Sequence, residues 1–437
     1  MISASIDFSK ITGQIKPLHG VNNAPEPDCE AGYYNVLQNA GIPFVRLHDM
    51  GGHYAAARYV DIANVFPDFS KDPGDPASYD FAFTDWLISD IYRQGSEVVY
   101  RLGCSIEPEH FIKPRNIIPP ADNFKWARIC EGIIRHYNQG WANGYHFGIR
   151  YWEIWNEPDN TPDIADNPMW KGTPEQYYAL YEVASTHLKA CFPDLMIGGY
   201  GSCGFYAVLG GYVKAANSSE RTEHFIDFLH GFLAHIRSKH CPLDFFSWHS
   251  YADAASNVVF AEYARKTLDE YGYTQTEMHL NEWNPGRDVR GTTQDMANIA
   301  QMLCRMHATD LRVMNYYDAQ PWSTYSGVYD ANKRTVAPAY YAFVYYNELY
   351  KLGKCVSMTG ECSDMLAATD GERGAVLLSN PSASECPITL DLQGISGKVA
   401  LHVTNPDCTQ TVTELGCDSH VSCTIPAQSA VLLTIQF

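Results

Sequence analysis

Residues 16–21, 43–47, 97–102, 150–155, 195–199, 244–248, 277–281 and 312–316 read as short buried strands, and each leads into a segment of helical length. That repeated alternation constrains the fold more than any other feature of the chain. Residues 124–137 set Trp126, Ile129, Cys130, Ile133 and Ile134 on one helical face, and 176–191 behaves the same way. Thr173-Pro174-Glu175 supplies an N-cap followed by a proline in the first turn. Eight such units over about 340 residues predict an α/β chain folded as a (β/α)8 TIM barrel. A doubly wound open sheet is the competing arrangement. It calls for a glycine-rich phosphate loop after an early strand, and none occurs there; Gly198-Gly199-Tyr200-Gly201, after the fifth strand, reads as a turn.

The barrel is expected over residues 14–352. Beyond it the pattern changes: 365–369, 375–379, 388–392, 399–403 and 430–435 are short, β-branched and separated by Gly, Asn, Pro and Ser. They predict a C-terminal antiparallel β-sandwich domain over 353–437. Residues 2–8 also have strand character, and a strand within 1–13 is a candidate to join that domain. A chain of 437 residues is long enough for both parts. The connections after strands two, three, four and eight (48–79, 103–120, 157–172 and 318–338) are long. In a barrel these loops share the face that carries the site. The first holds His53, Tyr54, Tyr59, Phe66, Phe69 and Tyr79, read here as walls of a cleft.

The fourth strand ends abruptly. Tyr151-Trp152-Glu153-Ile154-Trp155 runs into Asn156-Glu157-Pro158, and 125 positions after Glu157 a second strand, Met278-His279-Leu280, runs into Asn281-Glu282-Trp283. A carboxylate at the end of a buried strand is costly to keep unless it is used. Two of them at strand ends imply paired-carboxylate chemistry on a sugar. In that chemistry one carboxyl group holds a proton near neutral pH, which calls for an apolar setting or a neighbouring negative charge, while the other stays ionised. Trp152 and Trp155 are expected to supply apolar bulk beside Glu157, which is read as the acid/base. Glu282 is read as the nucleophile, with Tyr or Arg donors nearby, and the two titrations should be coupled.

Composition excludes other classes. A formal charge of −19 opposes binding to nucleic acid or to an anionic membrane surface. No apolar run is long enough to cross a bilayer, and Met1-Ile2-Ser3-Ala4-Ser5 opens no basic-then-apolar leader. The 13 cysteines are scattered, form no Cys-x-x-Cys pair, and in several cases (Cys130, Cys191, Cys304) sit inside apolar runs. These features predict a cytoplasmic protein with no disulfide framework and no zinc site. His48-Asp49 with His53 offers three metal ligands in one loop, but the spacing matches no helical site, so neither metal nor cofactor is expected. The 29 Tyr and 9 Trp suit sugar stacking, and equally suit aromatic cores and interfaces.

Several stretches resemble glycoside hydrolase family 39, which includes β-xylosidases and α-L-iduronidases. They are His19-Gly20-Val21-Asn22, Val45-Arg46-Leu47-His48, Lys125-Trp126-Ala127 with Arg135-His136-Tyr137, Trp152 through Pro158, Ser247-Trp248-His249-Ser250-Tyr251, Asn281-Glu282-Trp283-Asn284 and Pro338-Ala339-Tyr340-Tyr341-Ala342-Phe343. The Trp-Asn-Glu-Pro string with the downstream Glu-Trp is the specific part. The resemblance implies Glu157 as acid/base, Glu282 as nucleophile and Asn156 as a partner of the sugar 2-hydroxyl. It also implies a substrate-binding set of Asn22, Arg46, His48, His249, Tyr251, Tyr317 and Trp322, with Tyr251 donating to Glu282 and Tyr317 and Trp322 forming an aromatic floor. The expected function is a retaining glycoside hydrolase that removes a terminal sugar, β-xylose first among candidates, from short oligosaccharides. Asp159 follows Pro158 where many xylosidases carry Asn, which keeps arabinosidase, glucosidase, galactosidase and iduronidase-like specificities open. Arg58 and Arg287 would be the cations for a substrate carboxylate. A carbohydrate-binding protein without turnover is a further alternative. The family's xylosidases associate, but no stretch here specifies a homo-oligomer interface.

Overall fold

The strand expected at residues 97–102 is present as Glu97–Leu102, buried from Val98 onward. In this computed structural model, which describes residues 2–25, 35–50, 59–210, 218–286, 288–321, 323–395, 397–416 and 419–437, it is one of eight strands closing a parallel barrel. In chain order the strands are β1 (Ile2–Gln14), outside the barrel, then β2 (Gly20–Asn22), β3 (Phe44–Leu47), β4 (Glu97–Leu102), β5 (Tyr151–Ile154), β6 (Met196–Ser202), β7 (Phe245–Ser250), β8 (Glu277–Trp283) and β9 (Leu311–Tyr316). Successive strands pair in parallel, and β9 closes onto β2. An open doubly wound sheet is thereby excluded.

Local signals account for the helix boundaries. The Thr173 hydroxyl accepts from the Gln176 N–H while the Gln176 side chain accepts from the Thr173 N–H, so the helix Pro174–Cys191 begins on a capping box. The helix Asn123–Gln139 starts on Asp122, whose carboxylate accepts from two backbone N–H groups, and ends at Gly140 with φ 71°. Gly198-Gly199-Tyr200-Gly201 corrects the sequence reading: it is strand, not turn. It lies in β6, whose register against β7 shifts between Gly199 and Ser202. The bulge presses Gly201 so close to the barrel interior that a Cβ there would meet His249 Nε2 at 3.0 Å.

Inside the barrel, Val99, Tyr151, Phe245 and Val313 form a cluster of their own with Phe44 and Met196. Two residues further along their strands, Arg46, Glu153, Ser247 and Asn315 are all buried. Period-two alternation thus stacks an apolar layer toward the N-terminal ends of the strands and a polar layer above it.

After β9, β10 (Tyr329–Asp330) and β11 (Thr335–Val336) make a small ribbon. The later strands are β12 (Lys354–Gly360), β13 (Met365–Thr369), β14 (Arg373–Asn380), β15 (Cys386–Gln393), β16 (Lys398–Thr404), β17 (Gln410–Gly416), β18 (His420–Ile425) and β19 (Ser429–Gln436). They join β1 in one nine-stranded sheet of order β17-β16-β19-β14-β13-β12-β1-β15-β18. Its pairs are antiparallel except β1 with β15. The middle strands are covered on both faces. Ala375, Leu377, Ala430 and Leu432 pack into the barrel's core, and Val376, Leu378, Val431 and Leu433 into a second core. Ile6, Ile388 and Val421 from the other half of the sheet share that second core, so the sheet curls over itself.

The described cysteines are free thiols. Among the described residues no helix is long and apolar enough to cross a membrane.

Candidate active site

At the C-terminal ends of the barrel strands lies a cavity of about 900 Å³, whose wall includes His48, Asn156, Glu157, His249, Tyr251, Glu282 and Tyr317. Asn22 and Arg46 lie beneath it, fully buried. Trp322, Arg58, Arg287, His53 and Tyr54 fall outside the described residues. Tyr59 and Phe66 are buried in the barrel's core, with Phe69 and Tyr79 packed against it, and none of the four lines the cavity. For these four the reading as a cleft wall is corrected: their rings cover the barrel flank, where Tyr79 stacks on Phe81. A larger groove of about 1700 Å³ runs along the N-terminal strand and reaches Met278 and Arg312, at the opposite ends of β8 and β9. The strand-end carboxylates are in the smaller cavity, which is where barrel chemistry is built.

Glu282 ends β8 with both oxygens engaged. The Tyr251 hydroxyl donates to Oε1 at 2.6 Å, and Arg46 Nη1 donates to Oε2 at 3.2 Å. Arg46 is itself fixed on all sides. Its Nε donates to Glu153 Oε2 at 2.8 Å, Nη2 to Asn156 Oδ1 at 2.5 Å, and Nη1 also to Asn22 Oδ1 at 3.1 Å. Asn22 in turn donates to the carbonyls of Asn281 and Asn315. Glu153 takes further hydrogen bonds from Ser247 Oγ at 2.6 Å and Asn281 Nδ2 at 2.5 Å. Asn22 and Arg46 therefore orient the polar wall from behind. Burial pushes the Glu282 carboxyl up, and the charge of Glu157 adds to the rise against the opposing pull of His249, Arg46 and Tyr251.

Glu157 sits on a bent turn, with φ 77° at Trp155 and φ 46° at Glu157 itself. The Glu157 N–H donates to the Gly201 carbonyl at 3.0 Å, across the β6 bulge. Left-handed backbone at two non-glycine residues costs free energy that surrounding packing must offset. Its neighbours differ from the sequence expectation. Trp155 turns away to pack on Trp126 and Trp170, and Trp152 stacks on Tyr100. Polar groups take their place: His249 Nδ1 lies 2.7 Å from Oε1, and Asn160 Nδ2 donates to Oε2 at 2.7 Å. Burial pushes this carboxyl up, but the hydrogen bond and charge of His249, with the Asn160 amide, outweigh it and hold Glu157 at about 2. Burial disfavours a charged His249, yet Glu282 and Glu157 prevail and raise its pKa. The lowered Glu157 and raised His249 oppose one another across a 2.7 Å contact, so the pair shares its proton and the three groups titrate together.

Further along the wall, the Tyr317 hydroxyl donates to Asp49 Oδ2 at 3.2 Å, and His48 Nε2 lies 3.3 Å from the same oxygen. Tyr325 packs edge-on against Tyr317. Asp159 does not line the cavity. It is buried behind Glu157, accepting from Ser202 Oγ at 2.8 Å and from the Cys203 N–H, and burial raises its carboxyl to about 7. Single oxygens of Glu157 and Glu282 and a ring nitrogen of His249 lie within 4.8 Å of one another, close enough for a metal. Arg46 already supplies fixed positive charge to Glu282, and His249 Nδ1 lies 3.5 Å from the same Glu282 oxygen. A second such group, Glu131, His187 and Cys191, lies on the outer helices, where Arg135 pairs with Glu131.

Asn160 and Arg221 lie in none of the quoted stretches, and Glu153, inside Trp152 through Pro158, was given no role from the sequence. The one available signal was Glu153, a charged residue two positions from Tyr151 in a strand otherwise apolar.

The family model for glycosyl hydrolases family 39 matches residues 32–374. The chain belongs to glycosyl hydrolases family 39. Among curated proteins, this family 39 chain is 25% identical over 365 residues to a β-xylosidase of Geobacillus stearothermophilus, a match covering 72% of this chain and 63% of that one. It is 34% identical over 86 residues to a β-xylosidase of Caldicellulosiruptor saccharolyticus, covering 19% and 16%. The family 39 chain therefore spans less than two thirds of the length of the curated relatives it matches. Among solved structures, a glucosidase from Croceicoccus marinus superposes with TM-score 0.79 at 22% identity, over 100% of this chain and 99% of that one. A monomeric β-xylosidase from Caulobacter crescentus gives 0.71 at 15% identity, over 100% and 99%. These likenesses show the fold.

Proposed function

We propose that this chain is a retaining glycosidase that removes a terminal sugar, β-xylose first among candidates, from short oligosaccharides. The observation that carries the reading is the nearness of the two strand-end glutamates, which each offer an oxygen within 4.8 Å of the other and of His249. Retaining enzymes hold their carboxyl groups about 5–5.5 Å apart, and inverting ones leave about 6.5–9.5 Å for a water.

Glu282, held by Tyr251 and Arg46, attacks the anomeric carbon. The proton shared by His249 and Glu157 passes through Glu157 to the leaving oxygen as that bond breaks. Water then attacks the glycosyl-enzyme, Glu157 takes its proton, and the sugar leaves with its original configuration. Asn156, its oxygen held by Arg46, presents its amide toward the cavity for a sugar hydroxyl.

Xylose is favoured by the β-xylosidases among the relatives. Asp159, which raised the iduronidase-like alternative, lies behind the wall. The glucosidase among the structural neighbours makes glucose the second sugar to try. A panel of aryl glycosides, followed by release of the phenol, tests the substrate. Proton NMR of the first sugar product in methanol–water mixtures tests the stereochemistry. A β-anomer formed first from a β-xyloside is the expected result; an α-anomer formed first would replace retention with inversion. Release from no glycoside in the panel would favour a binding protein.

A further inference from the structure

The Glu157 carboxyl is held from outside the barrel as well as from within. Its Oε2 accepts from Asn160 Nδ2 at 2.7 Å, and the Asn160 N–H donates to the Glu157 carbonyl at 3.1 Å. Asn160 is gripped in turn by Arg221, sixty-one residues on. Arg221 Nε donates to the Asn160 carbonyl at 2.6 Å and Nη2 to its Oδ1 at 3.3 Å. Arg221 lies in the first turn of the helix Ser219–Ser238, where its N–H meets the Ser218 cap, and its guanidinium rests over the Phe225 ring at 5.2 Å. Both Arg221 and Phe225 line the cavity.

We propose that Asn160 and Arg221 are positioning residues of the glycosidase reaction: the helix Ser219–Ser238 acts through them to fix which oxygen of Glu157 carries the transferable proton. The inference rests on the reading of Glu157 as the acid/base. An amide N–H must point at an unprotonated oxygen, so a donor on Oε2 leaves the proton to Oε1, which faces His249 Nδ1. The guanidinium removes the ambiguity of the Asn160 amide: because Arg221 donates to Oδ1, the Nδ2 end is the one aimed at Glu157. Without Arg221 the amide is free to flip, presenting an oxygen to a carboxylate. Other charged or titratable groups around Glu157 are His249 on β7, Glu282 on β8, and Asp159 and Cys203 behind it. Of these, His249 hydrogen-bonds the Glu157 carboxyl on the other oxygen, and the Cys203 side chain also hydrogen-bonds Glu157.

The test compares Asn160→Ala, Arg221→Gln, Arg221→Lys and the Asn160→Ala/Arg221→Gln pair with the unaltered chain. Each is assayed on a xyloside with a dinitrophenol leaving group, which needs little protonation, and on methyl xyloside or xylobiose, which needs full protonation. Circular dichroism and melting temperature confirm the fold, and Asn160→Ser replaces Asn160→Ala if the latter does not fold. Expected is a fall in kcat of about tenfold or more on the unactivated substrate, with kcat/KM on the activated one, which reports formation of the glycosyl-enzyme alone, falling by less than about threefold, since general acid help is worth about 10²–10⁴ in rate. Arg221→Lys should recover part of the loss, and the double variant should be no slower than Asn160→Ala alone, because the two act in series. Equal losses on both substrates, a rise in KM with unchanged kcat, or multiplying losses in the double variant would each overturn the relay. An unaltered chain that releases sugar from neither substrate would remove the glycosidase reading itself, and this proposal with it.

Discussion

Arg46 and Glu153 form an ion pair in which neither side chain is exposed, one layer beneath the cavity floor, with Nε and Oε2 2.8 Å apart. A buried pair contributes less than its Coulomb energy suggests, but removing one partner strands the other. Arg46→Met leaves Glu153 charged and buried and takes a donor from Glu282. The expected loss of stability is about 3–5 kcal/mol. Arg46→Met/Glu153→Gln should lose less than the sum of the two single changes. Urea midpoints and slopes for the four proteins check this, and strict additivity would show that the pair does not act as a unit.

On the proposed mechanism, Tyr251 sets the acid side of the pH profile. Its hydroxyl donates to Glu282 and so favours the ionised carboxylate, opposing the upward push of burial. Tyr251→Phe removes that donor, and the pKa of Glu282 rises further. A nucleophile must be ionised to attack, so the acid limb of kcat/KM moves to higher pH, by about one unit. An unmoved limb would assign it to another group.

On the same mechanism, His249 sets the alkaline side. The Glu157–His249 pair keeps its proton to higher pH than a carboxyl alone because the imidazole pKa is raised by Glu282 and Glu157 against the effect of burial. In His249→Asn the proton must sit on the carboxyl, and the alkaline limb of kcat/KM falls by about one pH unit or more. A limb that stays in place would mean that the shared proton is not the one transferred.

Ile6 points into the second core from β1 and is fully buried. Ile6→Ala should cost about 2–5 kcal/mol, as for other large-to-small changes at buried sites. The sheet shares strands β13, β14 and β19 with the barrel's core, so melting should remain a single transition at lower temperature. Two separated transitions in calorimetry would show that sheet and barrel unfold independently.

The barrel and the nearness of Glu157 to Glu282 were legible because both rest on patterns local in sequence. Strand-length apolar runs mark β3 to β9, and Asn-Glu at two strand ends marks the carboxylates. What was illegible is long-range or depends on backbone direction. Trp155 is adjacent to the Asn156-Glu157 motif in sequence yet faces away, because φ 77° breaks the strand alternation there. Arg221 reaches Asn160 from a different helix, with no residue pattern to announce the contact. Glu153 disappears in the average hydrophobicity of its strand, although its charge is what holds Arg46. In the later sheet, β17 was missed because almost all of it is exposed and carries no apolar alternation. β12 and β18 bury only part of their residues, which blurs the same signal. Gly198–Gly201 looked like a turn because glycine usually marks one; here the glycines let β6 pass close to the site.

The placement of β1 between β12 and β15 has a consequence for how the chain is made. β1 leaves the ribosome well before its partners, residues 354–360 and 386–393, which emerge at least 340 residues later. At about 5–20 residues per second the strand waits on the order of tens of seconds for a neighbour. During that interval its two edges are open to any other strand, including another nascent chain. Only Ala4, Ile6 and Phe8 of its thirteen residues are buried in the finished sheet, and the stretch from Ser9 onward is exposed. A strand apolar on one face and at one end is a poor template for aggregation, which suits a segment that must stay unpaired until residues 354–393 exist.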